Sequence, residues 1–127
     1  MKTQKAHRGK TSYEAGVTAE ETVVDRYRRR GCEIAARRWR GSIGEIDLIL
    51  RDPAEDGLIF VEVKKSRSFD SAIARVGAKQ MERICATASE FAGGEPRGLL
   101  TEMRFDVALV DGIGDVRILE NAFGEAA

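Results

Sequence analysis

Gly44-Glu45-Ile46-Asp47-Leu48-Ile49-Leu50 and, after a polar break, Leu58-Ile59-Phe60-Val61-Glu62-Val63-Lys64-Lys65-Ser66-Arg67 read as two strands joined by a turn, with Pro53 and Asp56-Gly57 in the connection. Side chains alternate faces along a strand, so Glu45 and Asp47 share one face of the first strand, and Glu62 and Lys64 share one face of the second. The remaining positions are almost all Ile, Leu, Val or Phe, the composition of strands covered on both sides. An ionised carboxylate in such a strand is costly unless it is paired or bound to a cation, so Asp47 and Glu62 are expected to have a use.

Moving outward, a helical pattern runs from about Tyr13 or Thr18 to Arg30. Thr18 and Glu21 are spaced as a capping box, Val23, Val24 and Tyr27 form the apolar stripe, and Gly31 provides a stop. Glu20 precedes the stripe by three, four and seven positions, which places it on the core-facing side. Its ordinary alternative is a first-turn acid that complements the helix dipole. A strand is expected from Cys32 to about Trp39, although Ala35-Ala36 and Arg37-Arg38 blur its alternation. Trp39 reads as an anchor against the core rather than a base-stacking platform.

Downstream, Met81, Ile84, Cys85, Ala88 and Phe91 are spaced for one buried stripe, predicting a helix from about Ala78 to Phe91 with Gly77 at its N-cap. Lys79 and Gln80 fall in its first turn, where backbone donors favour an anion. A strand follows from Met103 to Val110, with Phe105, Val107 and Leu109 on one face and Asp106 on the other. After the turn at Asp111-Gly112-Ile113-Gly114-Asp115, an edge strand is expected at Val116–Leu119. The order is helix, three strands, helix, strand and edge strand, an α/β domain built on a mixed sheet.

The chain has 127 residues, enough for one domain, taken as 13–123 between a basic tail at 1–12 and a short tail at 124–127. With 43% hydrophobic and 33% charged residues it has a soluble composition, and no apolar run approaches the roughly 20 residues of a membrane helix. Cys32 and Cys85 stand far apart without neighbouring Cys or His, as expected of thiols in a reducing, cytoplasmic setting. His7, the only histidine, lies in the tail and receives no role. Net charge is zero, but residues 1–51 hold 12 Lys/Arg against 7 Asp/Glu and the remainder is acidic. A basic first half suits a polyanion, while a solvated arginine-rich helix end and loop is the plainer explanation.

Asp47 and Glu62 on adjacent strands can share a hard divalent cation such as Mg²⁺ or Mn²⁺, with Glu20 a third acid approaching from the first helix. Such a cation would polarise a phosphodiester and acidify a water, and Lys64 would orient that water or offset developing charge. No glycine-rich phosphate loop, paired histidines, or Ser/His or Cys/His arrangement supports a rival chemistry. A cross-strand Glu/Lys pair on an exposed face is the ordinary alternative.

Arg38-Trp39-Arg40, Gly44-Glu45-Ile46-Asp47-Leu48-Ile49, Phe60-Val61-Glu62-Val63-Lys64, Lys79-Gln80, Arg104-Phe105-Asp106-Val107 and Asn121-Ala122-Phe123 together resemble the YraN-like family of uncharacterised bacterial proteins. The resemblance spans about residue 16 to residue 123, and that family is similar to the PD-(D/E)xK nuclease superfamily. It implies a restriction-endonuclease-like αβββαβ core, a central mixed sheet flanked by helices. It also implies that Asp47 is the acid of the second strand, Glu62 and Lys64 the E-x-K of the third, Glu20 the helix-borne acid near the metal, and Gln80 a polar residue facing the site. Ala19 stands before Glu20 where the family usually shows Gly, and Lys65-Ser66 follows Lys64 where Thr is usual. Neither departure removes an acid or the lysine.

The expectation is a Mg²⁺- or Mn²⁺-dependent endonuclease acting on DNA, on branched or damaged structures and as a homodimer by analogy with Holliday junction resolvases. Arg37, Arg40, Lys65, Arg67 and Lys79 are the expected phosphate contacts. The alternative is a catalytically silent nucleic-acid-binding or interaction protein that keeps the fold.

Overall fold

The structure, a computed structural model, describes residues 19–68 and 77–122. The tail at 1–12, the Thr18 cap, Phe69 and Phe123 lie outside the described residues. Helix α1 occupies 19–29. It is followed by β1 (Glu33–Arg40), β2 (Glu45–Asp52), β3 (Gly57–Lys65), α2 (Ala78–Ala92), a 3-10 turn (Gly98–Leu100), β4 (Glu102–Val110) and β5 (Val116–Leu119). The five strands form one sheet in the order β1-β2-β3-β4-β5. Every neighbouring pair is antiparallel except β3 and β4, which run parallel. This is the α/β mixed sheet flanked by two helices expected of a restriction-endonuclease-like core.

Two apolar clusters lie on either side of the sheet. Val23, Val24 and Tyr27 of α1 pack with Leu48, Leu50, Ile59, Val61, Ala108 and Val110. Ile84, Ala88 and Ala92 of α2 pack with Ile49, Leu58, Phe60, Phe105, Val107 and Leu109. β2 and β3 feed both clusters, which is why they are apolar at nearly every position. Phe60 stacks on Phe105 with centroids 5.5 Å apart, and Trp39 meets Phe91 edge-on at 5.2 Å, so the tryptophan is a core anchor.

Gly31 ends α1 with φ +90°. Its N–H donates to the Arg28 carbonyl at 2.9 Å and the Cys32 N–H reaches back to Tyr27 at 3.1 Å. This six-to-one, five-to-two pattern needs a left-handed residue at the position Gly31 fills. The blurred alternation of β1 also has a cause. Its register against β2 shifts between Ile34 and Ala36, a bulge of one extra residue, so Ile34 joins the α1-side cluster while Ala35, Ala36 and Trp39 join the α2 side.

Candidate active site

β2 and β3 stop pairing at Leu48 and Val61. Beyond that point β2 stays paired only to β1, through Trp39–Ile46 and Arg40–Glu45, and β3 only to β4, through Lys65–Val110. The strands therefore fork, and Asp47 and Glu62 are the first residues past the split. Alternation from Leu48 and Leu50 would send Ile46 to the α1 side, yet it packs in the α2-side cluster. β2 has thus turned about its axis here, and Asp47 aims at β3, where its Oδ2 accepts the Val63 backbone N–H at 2.8 Å.

Glu62 is buried within the α2 side of the fork. Its Oε2 accepts from Gln80 Nε2 at 3.3 Å, which brings the first turn of α2 onto the site. Burial, then a hydrogen bond with Asp47 and the charge of Asp47, push the Glu62 carboxyl up from 4.5 to about 9, against the opposing influence of Lys64 and Gln80. At neutral pH Glu62 consequently keeps its proton beside Asp47. Lys64, half-buried and two residues on, contributes positive charge to the same group.

The structure thus brings together Asp47, Glu62, Lys64 and Gln80. Glu20 is engaged elsewhere: its carboxylate meets Arg38 Nη2 at 2.6 Å and Nε at 3.4 Å. Arg38 adopts φ +48°, an unusual conformation for a residue inside a strand. Among the described residues no three His, Cys, Asp or Glu groups stand close enough to hold a metal ion. Among the described residues the donors at the fork are therefore two carboxylates rather than three. A hard cation fits that chemistry, because it takes oxygen ligands, completes its shell with water, and would replace the proton on Glu62.

The expected phosphate contacts lie at the surface. Arg37 pairs with Glu21 at 2.5 Å and Arg40 with Glu45 at 3.3 Å, while Lys65, Arg67 and Lys79 are exposed. Exposed pairs of this kind are weak and exchange partners readily.

Sequence reasoning missed one constellation. Asp106, only 1% exposed, accepts the Tyr27 hydroxyl at 2.7 Å, Arg104 Nε and Nη2 at 3.0 Å each, and the Asn121 backbone N–H at 2.9 Å. Burial and the Asp106 charge push the Tyr27 phenol well above its ordinary range. The network ties α1, β4 and the residues after β5 together on the α1 side of the sheet. The Arg104-Phe105-Asp106 and Asn121 motifs are accordingly parts of one structural clip. Its only sequence signal was an acid on the inward face of an apolar strand.

The model of uncharacterised protein family UPF0102 matches residues 19–110. A UPF0102 protein of Cereibacter sphaeroides is 61% identical over 115 residues, covering 91% of this chain and 97% of that protein. UPF0102 proteins of Ruegeria pomeroyi and Roseobacter denitrificans are 55% identical over 119 residues (94% and 95% covered) and 53% over 122 residues (95% and 92% covered).

Proposed function

The chain belongs to the UPF0102 (YraN-like) family, a PD-(D/E)xK nuclease-like family, and from that premise we propose that it is a metal-dependent endonuclease hydrolysing phosphodiester bonds of DNA. The observation that carries this reading is the strand fork, where Asp47 stands close enough to Glu62 for a hydrogen bond between the two carboxyl groups. Two carboxylates in that relation repel when both ionise, and a divalent cation is the chemical partner that relieves them.

Asp47 and Glu62 would hold Mg²⁺ or Mn²⁺. Bound there, such an ion polarises a phosphodiester and lowers the pKa of an attacking water. The Val63 amide fixes one oxygen of Asp47, leaving the other for binding, and Gln80 orients Glu62. Lys64 would hold the water or offset negative charge that builds on the phosphate. Arg37, Arg40, Lys65, Arg67 and Lys79 would position the backbone without reading sequence. Glu20 would assist only after exchanging Arg38 for the site. Cutting both strands of a duplex or a branched junction would need two copies of the site, as in a homodimer.

One observation favours binding without cleavage: the third acid, Glu20, is occupied by Arg38. The two readings separate in one experiment. Wild type, Asp47→Ala and Lys64→Ala would be incubated with Mg²⁺ or Mn²⁺ and linear, branched and single-stranded DNA. Cleavage by wild type alone supports the nuclease. DNA affinity kept or raised in the variants, with every substrate uncut by wild type, supports the binding module. Absence of both cutting and binding rejects the nucleic-acid reading.

A further inference from the structure

The turn between β1 and β2 rests directly on α2. A Cβ added at Gly44 would lie 3.0 Å from Arg83 Cγ and Cδ and 3.2 Å from Thr87 Oγ1, so the backbone there is the floor on which the Arg83 stem lies. The same turn is held farther along α2 by Glu90, whose carboxylate accepts the Ser42 N–H at 2.9 Å and the Ser42 hydroxyl at 3.0 Å. Arg83 is exposed, and among the described residues no ion pair or side-chain hydrogen bond engages its guanidinium.

Position relative to the fork follows from the two elements that clamp it. Gly44 precedes Asp47 by three residues. Gln80, which touches Glu62, precedes Arg83 by three, roughly one helical turn and about 4.5 Å of rise. The stem is therefore seated about one helical turn beyond Gln80 and three strand residues, roughly 10 Å, from Asp47, while the charged head is exposed at the rim of the fork. A polyanion approaching two acids needs fixed positive charge at the rim, and a guanidinium whose stem is already ordered loses little freedom on binding.

Resting on the nuclease reading, we propose that Arg83 contacts a backbone phosphate of the nucleic acid next to the Asp47–Glu62 fork, and that Gly44 is required because it seats the Arg83 stem. Its planar fork suits two oxygens of one phosphate.

The test is fluorescence-anisotropy titration, without divalent metal, of a fluorescein-labelled duplex and a labelled four-way junction across a salt series. Wild type, Arg83→Gln, Arg83→Lys, and Arg29→Gln, an exposed α1 arginine, would be compared. Arg83→Gln should weaken binding about 5- to 10-fold near physiological salt and lower the salt slope by about one contact. Arg83→Lys should recover part of the loss, and Arg29→Gln should change affinity less than about twofold. Wild-type affinity and slope in Arg83→Gln, or an equal loss in Arg29→Gln, overturns the inference while leaving the nuclease reading in place. If wild type binds neither probe even at low salt, this inference falls, while the nuclease reading is decided by the cleavage assay with Mg²⁺ or Mn²⁺. Melting curves accompany each variant, and where Arg83→Gln melts far below wild type, the Arg83→Lys result decides.

Discussion

The Val63 backbone N–H donates to Asp47 Oδ2 at 2.8 Å immediately past Leu48 and Val61, the last residues that pair β2 with β3. A ladder hydrogen bond is replaced by a side-chain one, so opening the sheet leaves the Val63 donor satisfied. The carboxylate is thereby oriented by the fold itself, before any cation arrives, and Glu62 must adapt to it.

That adaptation is measurable as a pH dependence of stability. Glu62 is raised from 4.5 to about 9, so the folded chain keeps a proton that the unfolded chain releases near 4.5. The stabilisation is complete below the unfolded value and is lost as pH rises through the folded one, giving a melting temperature that falls over this window. Glu62→Gln should flatten the profile and melt roughly 5 °C or more above wild type near its alkaline end. Millimolar Mg²⁺ should raise wild type there and leave Glu62→Gln unmoved. Thermal scans across the window check both statements, and a flat wild-type profile would contradict the first.

Gln80 favours the ionised form of Glu62, since its hydrogen bond opposes the rise in the carboxyl pKa. Gln80→Ala should therefore raise that pKa further and move the ascending limb of any metal-dependent cleavage to higher pH. At neutral pH the rate should drop about 3- to 10-fold, with the gap narrowing in alkaline buffer. An equal loss at every pH would show that Gln80 acts by another route.

Asp106 collects four donors in a buried position, so removing it takes away an acceptor from each of them, and among the described residues only Arg104 keeps another, Glu120 at 3.4 Å. Asp106→Ala should cost about 2–3 kcal/mol, because it leaves the buried Tyr27 hydroxyl unpaired and Arg104 with only Glu120, 3.4 Å away, as a counter-charge. Tyr27→Phe removes only one donor and should cost about 1–2 kcal/mol. Urea titrations give both values, and the Asp106 effect should exceed the Tyr27 effect.

Gly31 and Gly77 both face open space, with no heavy atom within 4 Å of an added Cβ, yet their backbones differ. Gly31 sits at φ +90° and Gly77 at −95°. Gly31→Ala should destabilise by about 1 kcal/mol through backbone strain, whereas Gly77→Ala, free of that strain, should cost only about 0.5 kcal/mol, because alanine is a poorer N-cap than glycine. Denaturation midpoints of the two variants make the comparison directly.

Local pattern carried much of this protein. The stripe in α2, the period-two faces of β4, and the apolar runs of β2 and β3 each depend on neighbours a few residues away, so spacing alone placed them within a residue or two. The same alternation put Glu62 and Lys64 on one face and marked Asp47 as an expensive acid. Tertiary structure decided everything that depends on which segments meet. The β1 bulge and the turn in β2 shift faces in a way that no local period reveals. The fork exists because β3 pairs in parallel with β4 after leaving β2, a contact between residues far apart in the chain. Asp106 became a clip because Tyr27 arrives from 79 positions away. Glu20 met Arg38 because α1 is laid along β1, and Arg83 met Gly44 because α2 returns beneath the first turn. Residue types fix what each side chain is able to do, while long-range packing chooses its partner, and the chemistry of a site is set by partners.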